Sequence, residues 1–119
     1  MATRNTQSTR YYSNKQEQYI SKLLGGKVVP NSGAAMFCGG DVKAPDFLIE
    51  CKTTTTPKKS FSIKKDWLEK SEQERKDLQI PYSALAFQFE PDGENFFVVN
   101  EKLFKDMYKC FIGDEQNED

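Results

Sequence analysis

The chain has 119 residues, of which 37% are hydrophobic and 29% are charged, as is typical of one globular domain with a modest core. It contains no histidine, which excludes Ser-His-Asp and Cys-His catalysis, histidine-ligated metal nucleases and histidine zinc fingers. No apolar run approaches the roughly 20 residues that span a bilayer, and the first residues lack the apolar centre of a secretory signal, so we expect a cytoplasmic protein with no membrane partner.

The distribution of charge and the cysteine content further restrict the partners and the kinds of site that this chain can have. Residues 1–76 carry a net charge of +6 and residues 77–119 a net charge of −7, so the first part of the chain suits an anionic partner. Residues 113–119 are expected to form an acidic disordered tail. The three cysteines include no CxxC pair, which argues against a disulfide framework or a cysteine zinc site. We interpret Cys51 and Cys110 as small apolar residues.

Hydrophobic periodicity and turn residues predict an α/β fold in a single domain over residues 14–112, after a flexible basic arm over residues 1–13. The predicted elements, in chain order, are a helix at 14–24, strands at 27–29, 41–43 and 47–52, a helix at 62–78, strands at 82–89 and 95–99, and a helix at 101–111. The apolar positions of the three helices are Tyr19, Ile20, Leu23 and Leu24, then Ile63, Trp67, Leu68 and Leu78, and finally Leu103, Phe104, Met107 and Phe111.

Two carboxylates are predicted to face each other across a hairpin. Asp41 and Glu50 lie on strands joined by the short turn at 44–46, and antiparallel neighbours place opposite side chains about 5 Å apart. Carboxylates that close repel each other unless a cation lies between them. Mg²⁺ prefers oxygen ligands and accepts one or two carboxylates together with a phosphate. The backbone carbonyl of Cys51 is a further candidate ligand, and Asp46 is interpreted as a turn residue.

Lys52 lies on the same strand face as Glu50 and would stand beside such a metal. Its ammonium group could hold a phosphate oxygen or the attacking water, which suggests metal-assisted hydrolysis of a phosphodiester. A surface ion pair between Glu50 and Lys52 is the alternative interpretation. Glu17 leans toward the apolar stripe of the first helix, so it is either a third carboxylate of this site or a solvated boundary residue.

These motifs resemble the PD-(D/E)XK nuclease superfamily and, more narrowly, the archaeal-type Holliday junction resolvases and their phage-encoded relatives. The resemblance covers residues 14–100. It rests on residues 17–20 with Leu23 and Leu24, on Val28-Val29 before the 31–33 loop, on residues 40–42 and 48–52, and on Ile80-Pro81 before the strand at 84–89. The chain departs from the pattern at Gly40, where the family has proline, and in the arrangement of the 31–33 loop.

The resemblance implies a restriction-endonuclease-like core with a central mixed five-stranded sheet flanked by helices. It implies a Mg²⁺-dependent DNA endonuclease, with Mn²⁺ as a substitute, that resolves four-way or other branched junctions as a homodimer in the cytoplasm of a bacterial host. By it, Glu17, Asp41 and Glu50 would be metal ligands, Lys52 the catalytic lysine, and Ser32 a contact to the scissile strand. No small-molecule cofactor is expected. A general or nicking endonuclease and a non-catalytic DNA-binding protein are the alternatives.

Lysine and arginine side chains would supply the affinity for DNA, because duplex DNA is densely charged. One cluster without acidic residues comprises Lys58, Lys59, Lys64 and Lys65, and a second patch beside Glu17 comprises Arg4, Arg10 and Lys15. We expect these groups to contact phosphates and not base edges, and a solvated helix face is the alternative interpretation of the first cluster. Phe96, Phe97 and Tyr108 are candidates for an apolar dimer surface.

Overall fold

The computed structural model describes residues 9–29 and 40–113. They form an α/β domain with three helices and a five-stranded sheet, which confirms the predicted fold class. In chain order the elements are α1 (Thr9–Leu24), β1 (Lys27–Val28), β2 (Gly40–Ala44), β3 (Phe47–Lys52), α2 (Lys65–Asp77), β4 (Tyr82–Phe87), β5 (Phe96–Val98) and α3 (Glu101–Phe111). The predicted contacts of Arg4 and Ser32, the 31–33 loop and residues 114–119 lie outside the described residues.

The sheet is mixed, as predicted. Its strand order follows the chain from β1 to β5. The pairs β1–β2, β2–β3 and β4–β5 are antiparallel, whereas β3 and β4 are parallel. Parallel neighbours need a crossover connection, and α2 supplies it between β3 and β4. The carboxyl ends of β3 and β4 therefore lie side by side at one end of the sheet.

Strand β3 is the centre of the sheet and is covered on both faces. Its sequence FLIECK is buried from Leu48 to Cys51. On one face, a core of apolar side chains packs together; it comprises Ile20, Val42, Ile49, Cys51, Ala84 and Ala86. A strand covered on both faces is normally apolar throughout, so the buried Glu50 in the middle of this one requires compensation.

The first helix begins earlier and turns a different face inward than the sequence predicts. Residues 9–13, predicted to belong to a flexible arm, form the first turn of α1, and Ser13 is 3% exposed. Of the predicted apolar stripe only Ile20 is buried, whereas Tyr19, Leu23 and Leu24 are exposed. The remaining inward residues are polar: Ser13, Gln16, Glu17 and Ser21. Hydrogen bonds from this polar face to the sheet, described below, orient the helix.

Helix α2 is shorter than predicted and packs with a narrower face. It begins at Lys65, so Ile63 precedes it, and it ends at Asp77. Trp67 and Leu68 are partly buried, but Leu78 is exposed, contrary to its predicted inward position. Leu78 is the helix C-cap, and Gln79 follows it with φ of 60°, so the chain turns away before Leu78 can reach the sheet.

Helix α3 has the predicted bounds, but most of its apolar side faces outward. The side chain of Asn100 accepts a hydrogen bond from the Leu103 backbone N–H at 2.8 Å and so caps the helix. Leu103 is buried. The exposed apolar side chains are Phe104, Met107, Tyr108 and Phe111, together with Phe96 and Phe97 on β5. Among the described residues, no helix combines the length and apolar content that a membrane crossing needs.

Candidate active site

A tight hairpin sets the geometry of the site. Strands β2 and β3 pair so that Asp41 lies directly opposite Glu50. The turn between them contains Asp46, which has φ of 68° and is exposed, in agreement with its interpretation as a turn residue. Aspartate tolerates this left-handed conformation better than most residues, so the turn fixes the register. The predicted juxtaposition of the two carboxylates is confirmed.

A third carboxylate, which was not predicted from the sequence, completes the cluster. Glu74 comes from α2, and one carboxylate oxygen from each of Asp41, Glu50 and Glu74 lies within 4.8 Å of the others. Glu74 follows Trp67 by seven residues, which places both on one face of the helix. The seven-residue spacing was the sequence signal that could have placed Glu74 on the inward face of the helix. It points to the carboxylate cluster only because α2 covers the Glu50 face of the sheet, and the spacing does not reveal which face α2 covers.

Burial dominates the electrostatics of this cluster. Burial raises the pKa of Asp41 to about 9, and hydrogen bonding with Glu50 and Glu74 and their negative charges act in the same direction. Ionisation of Asp41 is therefore unfavourable in this volume unless a cation compensates its charge. Closely spaced, mostly buried oxygen donors suit a hard divalent cation such as Mg²⁺, so the donor set fits the predicted metal.

Glu17 and Cys51 stand apart from the three carboxylates. Glu17 is only 7% exposed, so it is not a solvated boundary residue. Burial raises its pKa to about 7, the charge of Glu50 adds to the increase, and the charge of Arg10 opposes it.

The Cys51 side chain is buried in the core, as interpreted, and burial raises the pKa of its thiol. Cys110, by contrast, is exposed. The Cys51 carbonyl stays a predicted ligand.

The ammonium group of Lys52 is held by two contacts. Its Nζ lies 3.2 Å from Glu50 Oε2, and the two side chains are only 18% and 11% exposed. The same Nζ lies over the Trp67 ring, 4.4 Å from its centroid. Glu50 and Lys52 therefore do form the ion pair of the alternative interpretation, although the pair is largely buried and does not lie at the surface. Trp67 was predicted only as an inward apolar residue.

The predicted phosphate contacts fall into two regions. The first region contains four exposed lysines, on the segment between β3 and α2 and at the first residue of α2: Lys58, Lys59, Lys64 and Lys65. Lys64 lies 5.9 Å from the Trp67 ring centroid, which connects this cluster to the contacts of Lys52. Lys65 forms an ion pair of 3.6 Å with Glu69 on α2.

In the second region, Lys15 pairs with Asp92 at 3.1 Å, in the connection between β4 and β5. Lys15 also lies over the Tyr11 ring, and its pKa is raised, first by the hydrogen bond to Asp92. Arg10 is exposed and interacts with the charge of Glu17. This patch is therefore partly neutralised by acidic neighbours, as Lys65 of the first cluster is by Glu69.

A scan against protein-family models and searches of curated proteins and of solved structures found no match for this chain. The functional proposal therefore rests on the carboxylates, the lysine and their surroundings.

Proposed function

We propose that this protein is a metal-dependent DNA endonuclease with a PD-(D/E)XK-type core, acting on four-way or other branched junctions. One observation carries the proposal: Asp41, Glu50 and Glu74 converge on one small volume, with Lys52 3.2 Å from Glu50. The β2–β3 hairpin, whose second strand is the central strand of the sheet and ends in Glu-Cys-Lys, supports the assignment to this type of core.

Mg²⁺, or Mn²⁺ in its place, would be held by Asp41 and Glu50, with Glu74 as a further oxygen donor. The Cys51 carbonyl and Glu17 complete the candidate ligand set. When bound, such an ion stabilises negative charge on a phosphodiester and favours ionisation of water.

The side chains around the metal ligands have separate roles in this proposal. Lys52 binds a phosphate oxygen through its ammonium group, since Glu50 and Trp67 hold that group in place. Glu17 can exchange a proton near neutral pH, because its pKa is raised to about 7. The largely buried setting strengthens each of these electrostatic interactions relative to water.

DNA is the proposed partner. The exposed lysines at 58, 59, 64 and 65 would contact phosphates on either side of the site. The outward apolar side of α3 and the neighbouring groove of about 450 Å³, lined by Leu24, Phe47, Phe97 and Met107 among others, support a homodimer that carries two sites. The proposed location is the cytoplasm.

A non-catalytic DNA-binding protein is the second candidate, and one observation favours it: Lys52 and Glu50 already satisfy each other as an ion pair. Cleavage separates the two candidates. Labelled four-way junction and a matched linear duplex would be incubated with the protein in Mg²⁺ or in EDTA. Paired cuts in the junction alone, lost in EDTA, support the resolving function. Equal cutting of the duplex indicates a general or nicking endonuclease, and tight binding without cleavage indicates a binding protein.

A further inference from the structure

A second concave site lies at the carboxyl ends of β3 and β4. It is an open groove of about 470 Å³ between α1 and the connection from β4 to β5. Its lining is mainly polar and comprises Lys15, Gln16, Tyr19, Gln88, Asp92, Gly93, Glu94 and Asn95. Ligands of open α/β sheets commonly bind beyond the carboxyl ends of parallel strands. Lys15, predicted above as a phosphate contact, lines the groove but is paired there with Asp92, and no other role assigned above uses the groove.

Gln16 is the most constrained residue of the groove, because it is 2% exposed and its amide orientation is fixed. Its Nε2 donates to the Lys52 carbonyl at 2.9 Å, to the Ala86 carbonyl at 3.3 Å and to Asn95 Oδ1 at 3.0 Å. Carbonyl oxygens can only accept, so Nε2 must face them. The other amide atom, Oε1, is buried and has no hydrogen-bond partner among the described residues. A buried acceptor without a partner is uncommon and points to a missing donor.

A second buried amide connects the groove to the candidate active site. Gln88 is 4% exposed, donates from Nε2 to the Gly93 carbonyl at 3.0 Å, and accepts from the Thr53 hydroxyl. Gln16 and Gln88 are thus bonded to Lys52 and Thr53, the consecutive residues at the end of β3. The groove therefore adjoins the end of β3, where Lys52 contributes its backbone carbonyl to the bond with Gln16.

The residues that line the groove disfavour binding of a negatively charged phosphate and favour binding of a neutral polar ring. Asp92 is paired with Lys15, and Glu94 is exposed, so the groove has no net positive charge to hold a phosphate. Amide side chains match the donors and acceptors on the edges of bases. The Tyr19 ring is 58% exposed and offers a stacking surface at the rim.

We propose that this groove binds an unpaired nucleobase of branched DNA, next to the phosphate held at Lys52. The inference rests on the proposed function and deepens it, because it gives a means of distinguishing a branch point from paired duplex. In paired duplex the Watson–Crick edges and the faces of the bases are occupied, so only a base released from its partner could insert its ring into the groove. Contact with the polar edge of that base would come from partly exposed amide groups of the lining, such as that of Asn95.

The test is an affinity comparison with abasic DNA. Junctions are prepared in which one nucleotide at the branch point, at each position in turn, either carries its base or is abasic. Affinity is measured by fluorescence anisotropy in EDTA for the wild type, for Tyr19→Ala and for Gln18→Ala, a matched exposed neighbour on α1 that does not line the groove. Circular dichroism confirms that both variants fold.

We expect the abasic change at one position to weaken wild-type binding about tenfold, the size of a lost base–aromatic stack. Tyr19→Ala should bind the complete junction as weakly as the wild type binds the abasic one, and should lose little more on the abasic DNA. Gln18→Ala should match the wild type. The inference is overturned if the wild type cleaves junctions in Mg²⁺ yet binds all abasic forms equally well. Failure to bind or cleave any branched DNA would instead overturn the proposed function.

Discussion

The ammonium group of Lys52 lies between the Glu50 carboxylate, at 3.2 Å, and the face of Trp67, at 4.4 Å from the ring centroid. A cation over an aromatic face is stabilised by the ring quadrupole, more strongly when it is shielded from water. Trp67 therefore restricts the position of Lys52. It is the only tryptophan in the chain, so its fluorescence also reports on this contact.

The first prediction concerns Trp67. Trp67→Ala should lower kcat for junction cleavage about tenfold, since loss of a partly buried cation–π contact costs on the order of 1 kcal/mol and frees the lysine. KM should change less than kcat, because the lysine still carries its charge. Trp67→Phe should recover most of the rate. Single-turnover kinetics measure the effect, and an Ala variant as fast as the wild type would show that the ring has no positioning role.

The second prediction concerns Glu74, the carboxylate from α2. Glu74→Gln should raise the Mg²⁺ concentration needed for half-maximal cleavage about tenfold, because one oxygen donor of the cluster loses its charge. Glu69→Gln is the matched control on the same helix, since Glu69 is exposed and lies outside the cluster. Metal titrations at saturating DNA measure the effect. Identical titrations for both variants would remove Glu74 from the metal site.

The third prediction concerns the pH dependence of stability in the metal-free protein. Asp41 has a pKa raised to about 9 in the folded protein, against about 3.9 in the unfolded chain. The folded state then retains a proton that the unfolded state releases. The stability that Asp41 contributes is therefore fully present at low pH and is lost as pH rises from about 4 toward 9. Glu17, raised to about 7, acts in the same direction over the lower part of that range.

Asp41→Asn tests this dependence, because asparagine keeps the shape and removes the titration. The Tm of the wild type in EDTA should fall between pH 5 and pH 8.5, and the variant should fall less. At pH 8.5 the variant should melt at least about 5 °C higher, which corresponds to roughly 1 kcal/mol in a domain of this size. Asp46→Asn, in the exposed turn of the same hairpin, should follow the wild type. A wild-type Tm that rises with pH would contradict the assignment.

The fourth prediction concerns the exposed lysines before α2. Lys58→Ala and Lys59→Ala should each weaken junction binding and lower the slope of log K against log salt by about 0.9, the value for one lost phosphate contact. Lys105→Ala, on α3, should leave both unchanged. Binding titrations across a range of salt concentrations measure the slope. An unchanged slope in both variants would mean that these lysines form a solvated surface.

The fifth prediction concerns the outward face of α3. Phe104 and Phe111 are 61% and 88% exposed, which is unfavourable unless another surface covers them. Analytical ultracentrifugation should show the wild type as a dimer and the double variant Phe104→Asp, Phe111→Asp as a folded monomer. Lys105→Glu, a charge change on the same helix, should remain dimeric. A wild type that is monomeric at all concentrations would remove this face from the account.

Local signals carried most of what the sequence could predict. The short turn around Asp46 fixes the pairing of β2 with β3, so the sequence alone was enough to place Asp41 and Glu50 opposite each other. The apolar run that begins at Tyr82 and the apolar spacing of residues 103–111 likewise located β4 and α3. Each of these features depends on residues close together in the chain.

Features that depend on packing between distant segments were missed. Glu74 reaches Asp41 because α2 crosses over the sheet, and spacing within α2 does not reveal what the helix covers. Helix α1 buries Gln16, a polar residue that the apolar periodicity does not mark as inward, because its amide bonds to carbonyls of β3 and β4. Residues 9–13 have no apolar periodicity, so the start of that helix was not visible.

The most direct test of the central claim is the rate at which the wild type and Glu50→Gln cleave a labelled four-way junction in Mg²⁺. Glutamine keeps the size of Glu50 but removes its charge from both the carboxylate cluster and Lys52. The account predicts cleavage by the wild type that EDTA abolishes, and a rate at least about a hundredfold lower for Glu50→Gln. Glu69→Gln should cleave normally. Tight binding by the wild type with no cleavage in Mg²⁺ or Mn²⁺, or equal cleavage by Glu50→Gln, would contradict it.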